Sequence, residues 1–291
     1  MEYMISVLLS GIAVGGQYAL IAIGYTMVYG ILRLINFAHG DVFMVAGLMG
    51  IYFAAVMPIY IALPLMIVIT ILLGVLIERL AYRPLRSAPR MSVMISAIGV
   101  SYFLQNTATY ITGGQPMTYP VIPGLSNTVE IAGTPTKIVV LITPVLVLLL
   151  VIALTQLINH TKVGMAMRAV SQDFDTARLM GIGIDKVISV TFIIGSALAA
   201  VGSVLYFTCY PAVTPMAGAL PGLKAFVAAV FGGIGSVPGA VIGAFIIGIC
   251  ENLIKSTDYT VFSDAFTFAL LIIILIFKPT GLFGEKVTDK V

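Results

Sequence analysis

Side chains able to do acid–base or ligating chemistry are scarce in this sequence, and one short stretch concentrates them. INFAHGD, residues 35–41, holds an amide (Asn36), an imidazole (His39) and a carboxylate (Asp41), with Arg33 just before it. It lies between two apolar blocks of a chain that is 60% hydrophobic, where polar groups are costly unless paired, hydrated or used. Two roles are open to it. Asn36, His39 and Asp41 can cap the second helix and hold a polar turn near the membrane surface, Asp41 suiting a helix N-terminus. Alternatively, with Gly40, they form part of a translocation gate. Nothing in the stretch supports catalysis.

The other chemical possibilities are weaker. Cys209 and Cys250 lie in separate apolar segments and His39 and His160 are far apart, so neither a disulfide framework nor a metal centre is indicated. The Gly-rich FGGIGSVPG lacks the lysine and Ser/Thr of a phosphate-binding loop, and Pro238 stands where a dinucleotide fingerprint needs its last glycine. No GxSxG or HExxH occurs, nor a close pair of intramembrane carboxylates suited to proton relay. The chain reads as a non-enzyme that binds no cofactor of its own. If it moves a solute uphill, the energy enters through another subunit.

The elements that position these residues follow from composition. Only 9% of the 291 residues are charged, against about 25% in soluble proteins, so this is a membrane protein. Apolar blocks run at about 5–32, 41–57, 59–79, 92–111, 137–158, 187–209, 223–253 and 263–278. Each approaches the roughly 20 residues a helical span requires. They predict an all-α, polytopic transmembrane bundle of about eight spans with broken or re-entrant helices, forming one permease domain over 1–291. The blocks are too long and uniform for the strands of a membrane barrel. The opening MEYMISVLLSGIAVGG carries no basic leader and reads as a first span.

Orientation follows from the basic residues. Arg33, the connector with Arg79, Arg83, Arg86 and Arg90, the connector with Lys162, Arg168, Arg178 and Lys186, and a tail with Lys278, Lys286 and Lys290 hold twelve of the fifteen. These regions are placed in the cytoplasm, which puts the N-terminus outside and the C-terminus inside. Residues 223–253 must then start and end outside. A half-helix entering as far as FGGIGSVPG and a helix returning from Ala240 satisfy this, and add Gly232, Gly233 and Gly235 as candidates for the translocation path. Small-xxx-small spacings in GIAVG, GSVPG and GAVIG imply close helix packing.

The connector 159–186 contains VGMAMRAVSQDFDTARLMGIGIDK, in which Val170, Phe174 and Ala177 recur at helical spacing, Arg168 and Asp175 decorate other sides, and Gly181 marks a helix end. The pattern predicts one short amphipathic helix, resting on lipid or docking a partner. Asp175, Thr176, Ala177 and Gly181 resemble the EAA loop of ABC-importer permeases, with Asp for Glu and Thr for Ala. The run GGQYALIAIGYTMVYGILRLINFAHGDVFMVAG, together with RAVSQDFDTARLMGI, AFVAAVFGGIGSVPGAVIGA and FKPTGLFG, resembles branched-chain amino-acid permeases of the LivH type. That resemblance implies a membrane subunit of an ABC importer in the bacterial cytoplasmic membrane, for leucine, isoleucine and valine, with urea or other amino acids as alternatives. It implies as partners a second, LivM-like permease, two ATP-binding subunits carrying ATP and Mg, and a periplasmic or lipid-anchored binding protein, and no nucleic acid. The coupling contact would fall on Arg168, Val170, Phe174, Asp175, Ala177 and Gly181. An ATPase-independent secondary transporter is the rival architecture.

Overall fold

The structure, a computed structural model, describes residues 2–86, 88–131, 133–278 and 280–284. The tail residues Lys286 and Lys290 lie outside the described residues. The elements are α1 (Glu2–Leu32), α2 (His39–Val56), α3 (Ile59–Ile77) running on through a π-helical turn at Glu78–Tyr82, α4 (Arg90–Thr112), α5 (Ile138–His160), α6 (Lys162–Gln172), α7 (Phe174–Leu179), α8 (Ile184–Cys209), α9 (Ala219–Gly232), α10 (Val237–Lys255) and α11 (Ser263–Phe277). Seven of these are long and apolar enough to cross a membrane. The chain is therefore a multi-pass membrane protein. The block at 92–111 corresponds to α4, whose 23 residues span about 34 Å, but it is not among the seven.

The core is organised by α1. Its 31 residues stand among α5, α8, α9 and α10, and glycines let the neighbours come close. A Cβ on Gly15 would sit 2.7 Å from the backbone of Phe245, and one on Gly11 2.9 Å from that of Ile249. Side chains cannot fit between such surfaces, so the helices meet backbone to backbone. The α1 helix ends at Leu32, where Arg33 takes a left-handed φ of 55° and donates its N–H to Tyr29 O at 2.8 Å. Helices α3, α5 and α11 turn much of their apolar surface outward, as a lipid-facing layer does.

One end of the bundle, the basic end, carries the loop 33–38, the connector 83–89 and the segment 159–186. The other end carries two short antiparallel pairings absent from the sequence-based expectation. Strands β2 (Thr128–Ile131) and β3 (Thr134–Lys137) form a hairpin, and β1 (Met117–Thr118) pairs with β4 (Ala212–Val213). From this hairpin end Tyr119 packs onto Phe207, and its burial raises the phenol above its ordinary range. The half-helix expectation matches α9 and α10, with the return starting at Val237 instead of Ala240. Ser236 caps it, accepting from Gly239 N at 3.2 Å, and Pro238 fits the first turn, where its missing N–H costs nothing.

Candidate functional site

INFAHGD is not a surface turn. Asn36 stays at the basic end, where its Oδ1 accepts from Ala38 N at 3.1 Å and from the Tyr82 hydroxyl at 2.7 Å. The chain then climbs into the bundle, and His39, Gly40 and Asp41 are all buried. His39 lies level with Gly24 of α1 and with Gly195, eleven residues past the start of α8 at Ile184 and so about 16 Å along its axis. Its imidazole occupies room that a glycine leaves: a Cβ on Gly24 would overlap Nε2. The Tyr25 ring meets it edge-on at 5.1 Å. Capping of α2 by these side chains, expected from sequence, does not occur; the N-cap residue is Ala38 and no side-chain cap bond forms. Asp41 instead bonds across helices, its Oδ1 accepting from the Gln105 amide of α4 at 2.9 Å.

Gly40 sits at a crossing with α9. A Cβ there would fall 2.6 Å from Gly218 O and 3.0 Å from Gly222 Cα. The second group of candidates lies at the far end of the same half-helix. Gly232 packs on Gly239, Gly233 ends α9 with φ 111° and Gly235 has φ 100°, conformations that side chains rarely adopt. The segment after α11 closes onto this turn, Leu282 N donating to Phe231 O and Phe283 N to Gly232 O, both at 2.9 Å. The two groups are not in contact as one site. Phe226 of α9 links them, its ring 6.0 Å from Tyr25 and 6.4 Å from Phe37, beside a narrow cleft lined by Tyr25, Tyr29, Ile35, Phe226, Ala229 and Ile234.

The coupling candidates require a correction. Instead of one amphipathic helix, α6 and α7 are two helices broken at Asp173, whose side chain caps α7 by accepting from Thr176 N at 2.6 Å. Val170 and Ala177 are buried in the chain's own core, so they present no surface to a partner, and Phe174 is 37% exposed. The apolar stripe packs inward because a short helix gains most by covering the bundle it hangs from. Leu179 and Met180, 87% and 78% exposed, are the most exposed apolar side chains of the connector, with Asp175 and Arg178 beside them and Met165 also outward. Arg168 is exposed and donates to Asn159 Oδ1 at 3.2 Å. Gly181, φ 81°, is the left-handed stop expected of it, and Ile182 N returns to Ala177 O at 3.0 Å.

Comparison with known proteins gives the chain a family. The family described as branched-chain amino acid transport system / permease component matches residues 7–275. The chain belongs to that family. The LivH permease of Escherichia coli (strain K12) is 41% identical over 305 residues, covering 99% of this chain and 98% of its own. The BraD permease of Pseudomonas aeruginosa is 40% identical over 301 residues, covering 98% and 97%. A solved structure of a metal-chelate type ABC transporter in an inward-facing conformation superposes with a TM-score of 0.50 at 14% identity, over 92% of this chain and 85% of that one, which is a likeness of fold.

Two charged clusters of the permease escaped the sequence reading. At the hairpin end Lys224 of α9 meets Glu251 of α10 at 2.7 Å and Asp264 of α11 at 2.6 Å, while Lys255 meets Glu251 at 2.5 Å and the Tyr18 hydroxyl donates to it at 3.0 Å. Lys224 and Glu251 are both buried. At the basic end Arg86 pairs with Glu78 and Asp185, Arg83 pairs with Asp185 at 2.6 Å, and Ser189 donates to Glu78 at 3.0 Å. This second cluster ties the π-helical turn of α3 to the first turns of α8, directly after the coupling segment. A lone charge inside an apolar block, such as Lys224 or Glu251, is the signal that could have flagged the first cluster.

Proposed function

We propose that this permease is a membrane subunit of an ABC importer that carries branched-chain amino acids, leucine, isoleucine and valine, across the bacterial cytoplasmic membrane. The observation that carries it is the family match over residues 7–275, with LivH and BraD about 40% identical over nearly the whole of both chains. The architecture agrees: a half-helix backed by glycine crossings suits a pathway, and α6, α7 and Gly181 give a protruding connector of the kind a partner grips. The basic end faces the cytoplasm, and with it the C-terminus. A second, LivM-like permease completes the path, two ATP-binding subunits seat against the 159–186 segment and hold ATP and Mg, and a periplasmic or lipid-anchored binding protein delivers the cargo. The chain itself carries out no catalysis.

Co-reconstitution of all subunits into vesicles tests this. Leucine uptake should require the binding protein and ATP inside the ATPase compartment, and should be competed by isoleucine and valine but not by urea. Uptake of leucine at full rate without the ATPase subunits would overturn it in favour of a secondary transporter.

A further inference from the structure

Among the described residues three carboxylates are buried: Asp41, Glu78 and Glu251. Glu251 has Lys224 and Lys255, and Glu78 has Arg86. Asp41, 2% exposed, forms no ion pair with any of the described residues. It accepts from Gln105 Nε2, and the same amide lies 3.3 Å from Ser101 Oγ. A buried carboxylate held only by neutral donors lacks the cation that the other two have, and a cation arriving from outside the chain would supply it.

The helix that supplies Gln105 and Ser101 points the same way. Ser101, Gln105, Thr109 and Thr112 recur at spacings of four, four and three, which aligns them in one strip along α4 beside exposed Tyr102 and Asn106. This is why α4 falls outside the seven plainly apolar spans. Polar groups on an outward face are unfavourable against hydrocarbon and favourable against a water-filled path.

We propose that Asp41, Gln105 and Ser101 form a subsite on the translocation path that receives the α-ammonium group of the cargo. This rests on the reading that the cargo is a branched-chain amino acid. The assembled importer, with Cys209→Ser and Cys250→Ala, tests it through single cysteines at Ser101 and Asn106 and a lipid-facing control at Leu148 of α5. The probes are two membrane-impermeant methanethiosulfonates, one carrying trimethylammonium and one sulfonate. Ser101→Cys and Asn106→Cys should react and Leu148→Cys should not. The cationic reagent should be favoured at Ser101→Cys by about tenfold, as expected for a unit charge a few ångström away in a partly hydrated site. Asp41→Asn, which keeps the shape, should remove that preference, and leucine delivered by the binding protein should slow the reaction. Absence of reaction at both positions would place α4 against lipid or the second permease and overturn the proposal. So would a charge preference that survives Asp41→Asn, or leucine uptake intact in Asp41→Asn. Failure of the unmodified importer to take up leucine at all would overturn the underlying function instead.

Discussion

Gly40→Ala adds one methyl group where α2 crosses α9, and the structure states what that methyl meets. The new Cβ would stand 2.6 Å from Gly218 O and 3.0 Å from Gly222 Cα. An unstrained contact needs about 3.5 Å, so the helices must part by something under 1 Å. Both obstacles are backbone atoms and neither can rotate away. Overpacking of this kind costs about 1–3 kcal/mol, partly offset by the roughly 1 kcal/mol that alanine gains over glycine inside a helix. Gly99→Ala on α4 isolates the second effect, because nothing lies within 4 Å of its added Cβ. The two variants should therefore differ by the overpacking term alone, with Gly99→Ala at least as stable as the parent. Thermal unfolding of the purified importer in detergent measures the difference, and leucine uptake in vesicles reports whether the displaced half-helix still works. If Gly40→Ala is as stable as Gly99→Ala and transports normally, the α2–α9 contact is looser than the structure has it and the reasoning fails.

Lys224→Met strands Asp264 and leaves Glu251 only Lys255 as a cation; removing one member of a buried pair costs about 3–5 kcal/mol, and Lys255 should hold the loss near the low end. The unfolding midpoint should fall, and the Lys224→Met, Glu251→Met double variant should fall by less than the sum of the two singles; strict additivity would deny the pairing. Leu179→Glu with Met180→Glu should abolish co-purification of the ATP-binding subunits while insertion continues, at about 2 kcal/mol or more per anchoring residue, and retained ATPase would move the docking surface elsewhere. A single cysteine at Gln172 should react only with membrane-permeant reagents and one at Ser126 from outside the cell, and the opposite result would invert the orientation.

Membrane solvent explains which parts of the fold were legible. Eight apolar blocks gave the spans, because length and polarity alone decide what enters a bilayer. The re-entrant pair was legible from charge parity, since residues 223–253 had to begin and end on one side. Which face of each helix packs was not, because lipid and protein interior are equally apolar and periodicity carries little contrast. The same blindness misassigned Val170 and Ala177: their spacing revealed an apolar stripe, but a stripe facing the parent bundle and one facing a partner look alike in sequence. The break at Asp173, by contrast, was written in the Asp-x-x-Thr spacing that caps α7.

The polar chemistry was hidden by distance along the chain. Asp41 and Gln105 are 64 positions apart, Asn36 and Tyr82 46, and Lys224 and Glu251 27. A hydropathy profile averages each of these into its own block, and in isolation each looks like a tolerated blemish. Folding changes their meaning differently in each case. Lys224 and Glu251 neutralise one another, so their burial is structural and asks for nothing further. The Tyr82 hydroxyl donates to Asn36 Oδ1, which ties down the loop that returns the chain into the bundle. Asp41 alone of the buried carboxylates among the described residues ends with a neutral donor where the others have a cation, one residue from the α2–α9 crossing at Gly40. An uncompensated charge is expensive in a membrane, and a cargo cation that pairs with Asp41 would offset that cost.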